Sequence, residues 1–384
     1  MFNFLRKADA PDATKASAAG RVTTWGVAGR SVWSARDAGT LTRMGFLNNP
    51  VGFRAVKLIA EAAAALPLTV SGAEGRYADH PVLRRLSNPN CVQGGADWFE
   101  GLYGQLLLSG NAYVEAVGLE AGWPAELHVL RSDRMSVVPG TDGWPVAFEY
   151  AAGGRTHRFE VGAVSPICHL RCFHPLDDHY GLSPLAAAAA AIDVHNAASR
   201  WSKALLDNAA RPSGAIVNES NEPLTPAQFD RLSEALAAEH QGAANAGRPM
   251  LLDGGLEWKP MGLSPSDMEF RATKEAAARE IATAFGIPPM MLGIPGEATY
   301  ANYAEANRAF YRLTVLPMAG RVCERLAAWL SVVGGETVRL DVDRDRVPAL
   351  QSERDAEWGR VSDATFLTEA ERRSLLGLPP APSA

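Results

Sequence analysis

Residues 285–293 read Phe-Gly-Ile-Pro-Pro-Met-Met-Leu-Gly, followed at 302–311 by Asn-Tyr-Ala-Glu-Ala-Asn-Arg-Ala-Phe-Tyr and at 316–317 by Leu-Pro. The Gly-Ile-Pro-Pro segment ends a preceding helix, because glycine and proline both interrupt a helical repeat. The pattern after Asn302 predicts another long helix to Leu330, kinked where Pro317 removes a backbone hydrogen bond. The stretch therefore predicts two long helices joined by a loop over residues 290–300.

Two long helices flank a small insert on the N-terminal side of that loop. Ser183 is a candidate N-cap for an Ala-rich helix that runs to Arg211, and Ser266 with Glu269 forms a capping box for the helix that ends at Phe285. Residues 212–261 between them read as strands around one helix, joined by turns rich in Gly and Asn. The Ala-rich helix offers little apolar area, which predicts that it packs side by side with copies of itself rather than within one subunit.

The first half of the chain combines helices with short strands, which indicates an α+β fold. Apolar residues recur at helical spacing over 51–65 and again over 95–108. Strands separated by Gly-containing turns are then predicted at Ala112–Val117, Glu126–Leu130, Met135–Val138, Val146–Tyr150 and Arg158–Val161. Residues 8–40 lack a sustained period and are interpreted as a mobile tail.

Composition limits the class of protein. A chain of 384 residues with 47% apolar and 21% charged residues should fold into more than one packed region, and no apolar run reaches the length of a membrane span. Met1–Lys7 is not followed by a secretory apolar stretch, so export is not expected. Four cysteines in no disulfide pattern are expected as thiols, and the net charge of −6 argues against general attraction to phosphates.

The residues that could form a catalytic or metal site are better explained by structural roles. Cys168 and Cys172 share a strand face but would lie about 13 Å apart, which disfavours a metal site with His169, His174 or His179. Asp177-Asp178 beside His179 is interpreted as a polar turn, and Asp341 with Asp343 as a solvated face. The Gly-x-Ser-x-Gly, Walker and His-Glu-x-x-His motifs are absent from the sequence, so neither an enzyme nor a cofactor is expected.

The opening stretch resembles the characteristic segment of portal proteins from phages with long, non-contractile tails. Other short runs resemble that family's landmarks in the same order: His80-Pro-Val-Leu, Gly110-Asn-Ala-Tyr, Tyr180-Gly-Leu-Ser-Pro-Leu and Asn208-Ala-Ala-Arg-Pro-Ser-Gly. The resemblance covers about residues 41–380. The compact, Ala-rich chain also resembles portals of bacterial gene transfer agents.

The resemblance implies a portal fold with a role for each segment. The expected segments are a flexible tail (1–40), a strand-rich wing (41–182), a stem helix (183–211), a clip (212–262), a second stem helix (263–286), a tunnel loop (287–301), wing with the kinked helix (302–341) and a short helical crown (342–384).

Site residues follow from this assignment. The tunnel-loop residues expected at the DNA channel are Gly293, Pro295, Gly296, Glu297, Thr299 and Tyr300. The charged stem residues are Arg271, Lys274 and Arg279. The clip residues expected to dock terminase or an adaptor are Phe229, Arg231, Arg248, Trp258 and Lys259.

The family further implies a ring, usually of twelve subunits, at one capsid vertex of a virion assembled in the bacterial cytoplasm. The ring would be a channel for packaging and ejection of double-stranded DNA, contacted without sequence preference. Its partners would be copies of itself, the major capsid protein, the terminase large subunit and a head–tail adaptor, with no membrane. The alternatives are another ring-forming virion adaptor and an enzyme of unrecognised type.

Overall fold

The chain divides into two units by its internal contacts. The larger unit comprises Trp33–Ser202 and Glu269–Ala384, and the smaller comprises Met1–Val32 and Lys203–Met268. The computed structural model describes residues 33–34, 37–72, 75–207, 214–218, 225–240, 255–260, 270–296 and 300–377.

Helices form more of the described chain than strands do. They are α1 (Ala38–Thr42), α2 (Pro50–Ala64), α3 (Pro81–Ser87), α4 (Gly95–Ser109), α5 (Pro184–Ala187), α6 (Ala189–Asp207), α7 (Pro226–His240), α8 (Phe270–Ala284), α9 (Tyr300–Phe310), α10 (Leu316–Gly334), α11 (Gln351–Asp363) and α12 (Glu369–Leu375). None of the helices in these described segments is both long and apolar enough to cross a bilayer.

The described strands form four small antiparallel sheets. The strands are β1 (Leu68–Gly72), β2 (Gly75–Arg76), β3 (Asn111–Glu120), β4 (Trp123–Leu130), β5 (Met135–Pro139), β6 (Pro145–Ala152), β7 (Arg155–Glu160), β8 (Ile167–Arg171), β9 (Gly214–Asn218), β10 (Leu256–Pro260) and β11 (Arg339–Val342). Their orders are β11-β1-β2, β4-β3-β8, β5-β6-β7 and β10-β9. The predicted α+β class and the successive hairpins are confirmed.

The core of the larger unit is built on α2 and α4. Ile59 of α2 and Trp98 and Leu102 of α4 are fully buried in a cluster that also takes in α10 and the inner face of β3. The start of α2 is fixed by Asn49, whose side-chain oxygen accepts hydrogen bonds from two backbone N–H groups. The end of α4 is fixed by Gly110, whose φ of 77° is the left-handed conformation that glycine adopts without strain.

Among the described residues, the smaller unit contains α7, the end of α6 from Lys203 and a two-stranded antiparallel sheet of β9 and β10. β9 pairs with β10 in a register that sets Ile216 opposite Trp258, and Thr225 with Gln228 begins α7. The predicted strand at 214–217 and helix at 225–239 are present within one residue. The further strand predicted at 250–252 lies outside the described residues.

The Ala-rich stem helix differs from its prediction in two ways. A turn at Ala188 separates α5 from α6, so the helix is not continuous from residue 183. Its first half is also buried within the subunit, because Leu185, Ala189 and Ile192 belong to the same core as α4. The expectation that this helix buries little apolar surface in one subunit is therefore wrong for the part before Ala198.

The interruption before Pro317 is a change of helical hydrogen bonding. Residues 311–315 form a π-helical segment in which the N–H of Leu316 donates to the carbonyl of Tyr311, and Pro317 is the second residue of α10. Proline supplies no N–H for the preceding turn, and a wider turn is one way a helix accommodates that loss. The predicted interruption is present, but it takes the form of a π turn preceding the proline.

Two smaller differences concern the tail and an acidic pair. Ser34, predicted in the mobile tail, donates from its N–H and hydroxyl to the Asp193 carboxylate, at 3.0 and 2.5 Å. Asp343 is buried and accepts a 2.6 Å hydrogen bond from Arg76, so its interpretation as a solvated residue is wrong. Asp341 is exposed, as expected.

Candidate functional site

The described part of the predicted tunnel loop is held against α8. A short 3-10 helix, Pro289–Leu292, ends at Gly293 with φ 72°, which turns the chain toward Ile294. Ile294 is buried against Ala278 and Ala282 of α8, with Leu292 beside it. The base of the loop is therefore anchored by apolar packing.

A charged side chain supplements that packing. The guanidinium of Arg279 donates a 2.7 Å hydrogen bond to the carbonyl of Pro295, so a predicted stem residue contacts a predicted loop residue. Gly296 is exposed. The predicted residues Glu297 and Thr299 lie outside the described residues, as does the side chain of Tyr300, the first residue of α9.

The other two predicted stem cations lie on the same helix as Arg279. Arg271 is mostly exposed and pairs with Glu275 at 2.8 Å, and that hydrogen bond raises the pKa of Arg271. Lys274 is exposed, and its charge adds to burial in lowering the pKa of His195 on α6. α8 therefore carries its cations near α6 as well as near the loop.

The rings of Trp201 and Phe270 stack where the chain leaves and re-enters the larger unit. Their centroids are 3.7 Å apart and their planes differ by 12°. Trp201 is the penultimate residue of the unit's first segment, which ends at Ser202. Phe270 is the second residue of its other segment, which begins at Glu269. Sequence reasoning missed this contact, since 69 residues separate the rings along the chain and no local pattern connects them.

The predicted clip residues are only partly described. Phe229 is half-buried and Arg231 is exposed on α7, while Lys259 is exposed on β10 and pairs with Glu257 at 3.3 Å. Trp258 is placed on β10 by its backbone, and Arg248 lies outside the described residues. A docking role for these residues stays a prediction.

The Cys and His residues on and after β8 lie in environments that shift their pKa values. Cys168 is buried, which raises the pKa of its thiol to about 12, and half-burial raises the pKa of the Cys172 thiol. Burial lowers the pKa of His169 to about 3, and the charges of Arg171 and Arg325 contribute in the same direction. The described residues contain no group of three potential metal ligands.

The acidic turn that follows has a structural role. The carboxylate of Asp177 accepts hydrogen bonds from the backbone N–H groups of His179 and Tyr180, at 2.8 and 2.9 Å. Ser183 then caps α5 by accepting from the N–H of Ala186. The interpretation as a polar turn before a capped helix is confirmed.

Comparison with known proteins gives this arrangement a family. The family model described as "Phage portal protein" matches residues 50–377, which include the stacked rings of Trp201 and Phe270, the anchored loop and most of both segments of the larger unit. The chain belongs to the phage portal protein family. A chain in the structure "Neck of empty GTA particle computed with C6 symmetry" is 64% identical to this portal, with a TM-score of 0.73 over 92% of this chain and 96% of that one.

Two further relatives extend the comparison. A chain in "Neck of native GTA particle computed with C12 symmetry" is 62% identical, with a TM-score of 0.70 over 92% of this portal and 96% of that chain. The portal protein of Enterobacteria phage HK97 is 25% identical over 387 residues, which cover 94% of this portal and 89% of the phage protein. GTA stands for gene transfer agent. The portal is therefore a structural component of a virion or gene transfer particle, and the hypothesis of an enzyme is set aside.

Proposed function

We propose that this portal assembles as a closed ring of twelve subunits at one capsid vertex, where double-stranded DNA passes during packaging and ejection. The observation that carries the proposal is the 62–64% identity, over nine-tenths of the chain, to subunits of particle necks computed with C6 and C12 symmetry. Identity of this extent implies similar subunit surfaces, and a cyclic ring needs each subunit to contact its neighbours through two different surfaces.

Within that ring, the segments take the roles expected from the family. The wing would face the major capsid protein, and the clip at 212–262 would dock the terminase large subunit and later a head–tail adaptor. The tunnel loop would border the channel, with α8 and the Ala-rich helix as the stem. DNA contact would be independent of sequence, because backbone contacts position a duplex without specifying bases. Assembly would take place in the bacterial cytoplasm.

The alternative of a different ring-forming adaptor is disfavoured by the length of chain that the family model matches. The family match extends over residues 50–377, a range that includes most of the segments we assign to the wing, both assigned stem helices and the insert between them. An adaptor of another fold would not match along this whole length.

Oligomeric state tests the proposal directly. We expect purified portal at micromolar concentration to elute with the mass of twelve subunits by light scattering and to show rings by negative-stain microscopy. A symmetric ring of another subunit number would correct the count. A stable monomer with no rings at any protein concentration would contradict the proposal.

A further inference from the structure

A cationic groove lies between β8 and α10 in the larger unit. Arg171 at the end of β8 and Arg321 and Arg325 of α10 line a cavity of about 330 Å³, with Leu106, His169, Leu170, Cys172, Met318 and Val322. Arg171 and Arg325 also line a second cavity of about 740 Å³, which extends to Asp142–Pro145. We call these two cavities with their three arginines the arginine groove.

The arginines of the groove form no direct ion pair with a described carboxylate, although Asp142 and Asp178 also line the larger cavity. Arg76 and Arg85, in contrast, each pair with a carboxylate within 2.9 Å. Arg171 donates a hydrogen bond to the backbone carbonyl of Asp178, and Arg325 donates one to the backbone carbonyl of His169 at 3.4 Å. Because these carbonyls are neutral, both guanidiniums keep their positive charge. Burial lowers the pKa of His169, and the charges of Arg171 and Arg325 lower it further.

The groove also offers apolar and aromatic surface. Trp144, with 72% of its surface exposed, lines the larger cavity together with Phe148 and Val161, and Met318 and Val322 line the smaller. Arginine beside exposed aromatic and methionine side chains is the composition enriched at protein–protein interfaces. One turn of α10 separates Arg321 from Arg325, so both guanidiniums lie on the same side of the helix.

The acidic residues of the groove favour a protein ligand over a nucleic acid. Asp142 and Asp178 line the larger cavity, where they would repel the successive phosphates of a DNA strand. A single carboxylate at Arg321 and Arg325 avoids that repulsion and can form charge-assisted hydrogen bonds with a guanidinium. A concave, partly apolar site of this size also suits side chains better than a rigid duplex.

We propose that the arginine groove binds an acidic segment of another protein, with a carboxylate at Arg321 and Arg325 and an apolar side chain against Trp144. The groove lies in the predicted wing, so this contact is separate from docking on the clip. All of the groove's lining residues belong to segments predicted as wing, and none belongs to the predicted clip.

Fluorescence anisotropy on the full-length protein tests the proposal. The probe is a labelled, terminally blocked Gln-Phe-Glu-Leu-Gln peptide with one carboxylate, and its Gln-Phe-Gln-Leu-Gln analogue is the uncharged control. We expect the acidic peptide to bind, the amide analogue to bind at least tenfold more weakly, and the double variant R321Q/R325Q to lose at least tenfold in affinity. The matched control R339Q/R360Q, which changes two exposed arginines elsewhere, should bind as the parent does.

Several results would overturn the proposal. They are no binding of the acidic peptide, equal binding of the two peptides, and equal binding by the parent and R321Q/R325Q. Binding of a 20-base-pair duplex that is lost in R321Q/R325Q would make DNA the occupant, and rings that dissociate in this variant would make it a second copy of the chain. If the double variant unfolds, the single variant Arg321→Gln is used, with at least a threefold loss expected.

Discussion

At the scale of single residues, Asn49 connects the start of one helix to the middle of another. Its side-chain oxygen accepts from the N–H groups of Val51 and Gly52, at 3.0 and 2.9 Å. Its amide nitrogen lies 3.0 Å from the side-chain oxygen of Asn196 and 3.2 Å from Nδ1 of His195. Asn49 is only 1% exposed, so water could not take over these hydrogen bonds if its side chain were removed.

We therefore expect Asn49→Ala to destabilise the portal by about 2–4 kcal/mol, since it removes a helix cap and leaves buried polar groups without a partner. The adjacent Asn48→Ala is the control, because Asn48 is exposed. Chemical denaturation of both variants measures the difference. Equal stability of the two variants would show that the Asn49 contacts contribute nothing.

His169 gives the fold a dependence on acid pH. Its pKa is about 3 in the folded chain and near its ordinary value of 6.5 when unfolded, so only the unfolded state binds the proton between these values. This contribution to stability is fully present above pH 6.5 and is lost as the pH falls toward 3. The cause is burial first, followed by the charges of Arg171, Arg325 and His179.

We expect His169→Gln to be less stable than the parent at pH 7, because stacking on Tyr113 at 4.3 Å is lost, yet to lose less stability between pH 7 and pH 4. Thermal unfolding across this pH range measures both effects. His157→Gln, at an exposed strand position, should keep the slope of the parent. An unchanged slope in His169→Gln would assign the acid sensitivity to other groups.

At the scale of elements, what the sequence could predict depended on local signals. The turn at Gly110 and the Gly153-Gly154 pair end their elements by backbone conformation alone, so α4 and the β6–β7 hairpin were predicted within a few residues. Burial of the first half of the Ala-rich helix depends on α4, which is distant in sequence. The arginine groove depends in the same way on β8 and α10, and the pattern of neither element alone reveals it.

The predicted tunnel loop shows the same difference between features that local sequence predicts and features that depend on distant residues. The apolar character of Leu292 and Ile294 is visible in the sequence, whereas the hydrogen bond from Arg279 to Pro295 could only be seen once α8 and the loop were placed together. The loop segment over 290–300 contains no Lys or Arg, so its affinity for DNA should be low. A role in retaining DNA would then depend on the loop's bulk and position.

If the loop retains DNA, deletion within residues 293–298 should leave rings intact and let DNA enter, but filled particles should leak. Packaging assays with and without nuclease treatment after filling separate these steps. Arg279→Gln, which removes one hydrogen bond and keeps the loop length, should leak less than the deletion. Retention of DNA by the deletion variant at the level of the parent would exclude this role.

At the scale of the whole molecule, the smaller unit should be separable from the larger. We expect a variant that lacks residues 213–261, with its helices joined by a short Gly-Ser linker, to fold and form rings, because the core residues described for the larger unit lie outside the deleted range. The same variant should fail to bind the terminase large subunit and fail to package DNA. Ring formation is checked by microscopy, and terminase binding by co-sedimentation.

The matched control for this deletion keeps the unit and changes its surface. Arg231 and Lys259 are exposed, so the double alanine variant should fold normally and weaken terminase binding only in part. Normal packaging by the deletion variant would refute the assignment of residues 212–262 as the docking clip.

The stacked rings of Trp201 and Phe270 bear on how such a chain can change during evolution. The polypeptide leaves the larger unit next to Trp201 and re-enters it next to Phe270, and these two side chains are in contact. The segment between them can therefore gain, lose or exchange residues without moving the helices that bear the two rings. Lengthening a segment whose ends already meet adds only a slowly rising entropy of closure. A lineage could thus adapt this segment to a new partner while inheriting the rest unchanged, and alignments of portals should show their insertions concentrated between these two aromatic positions.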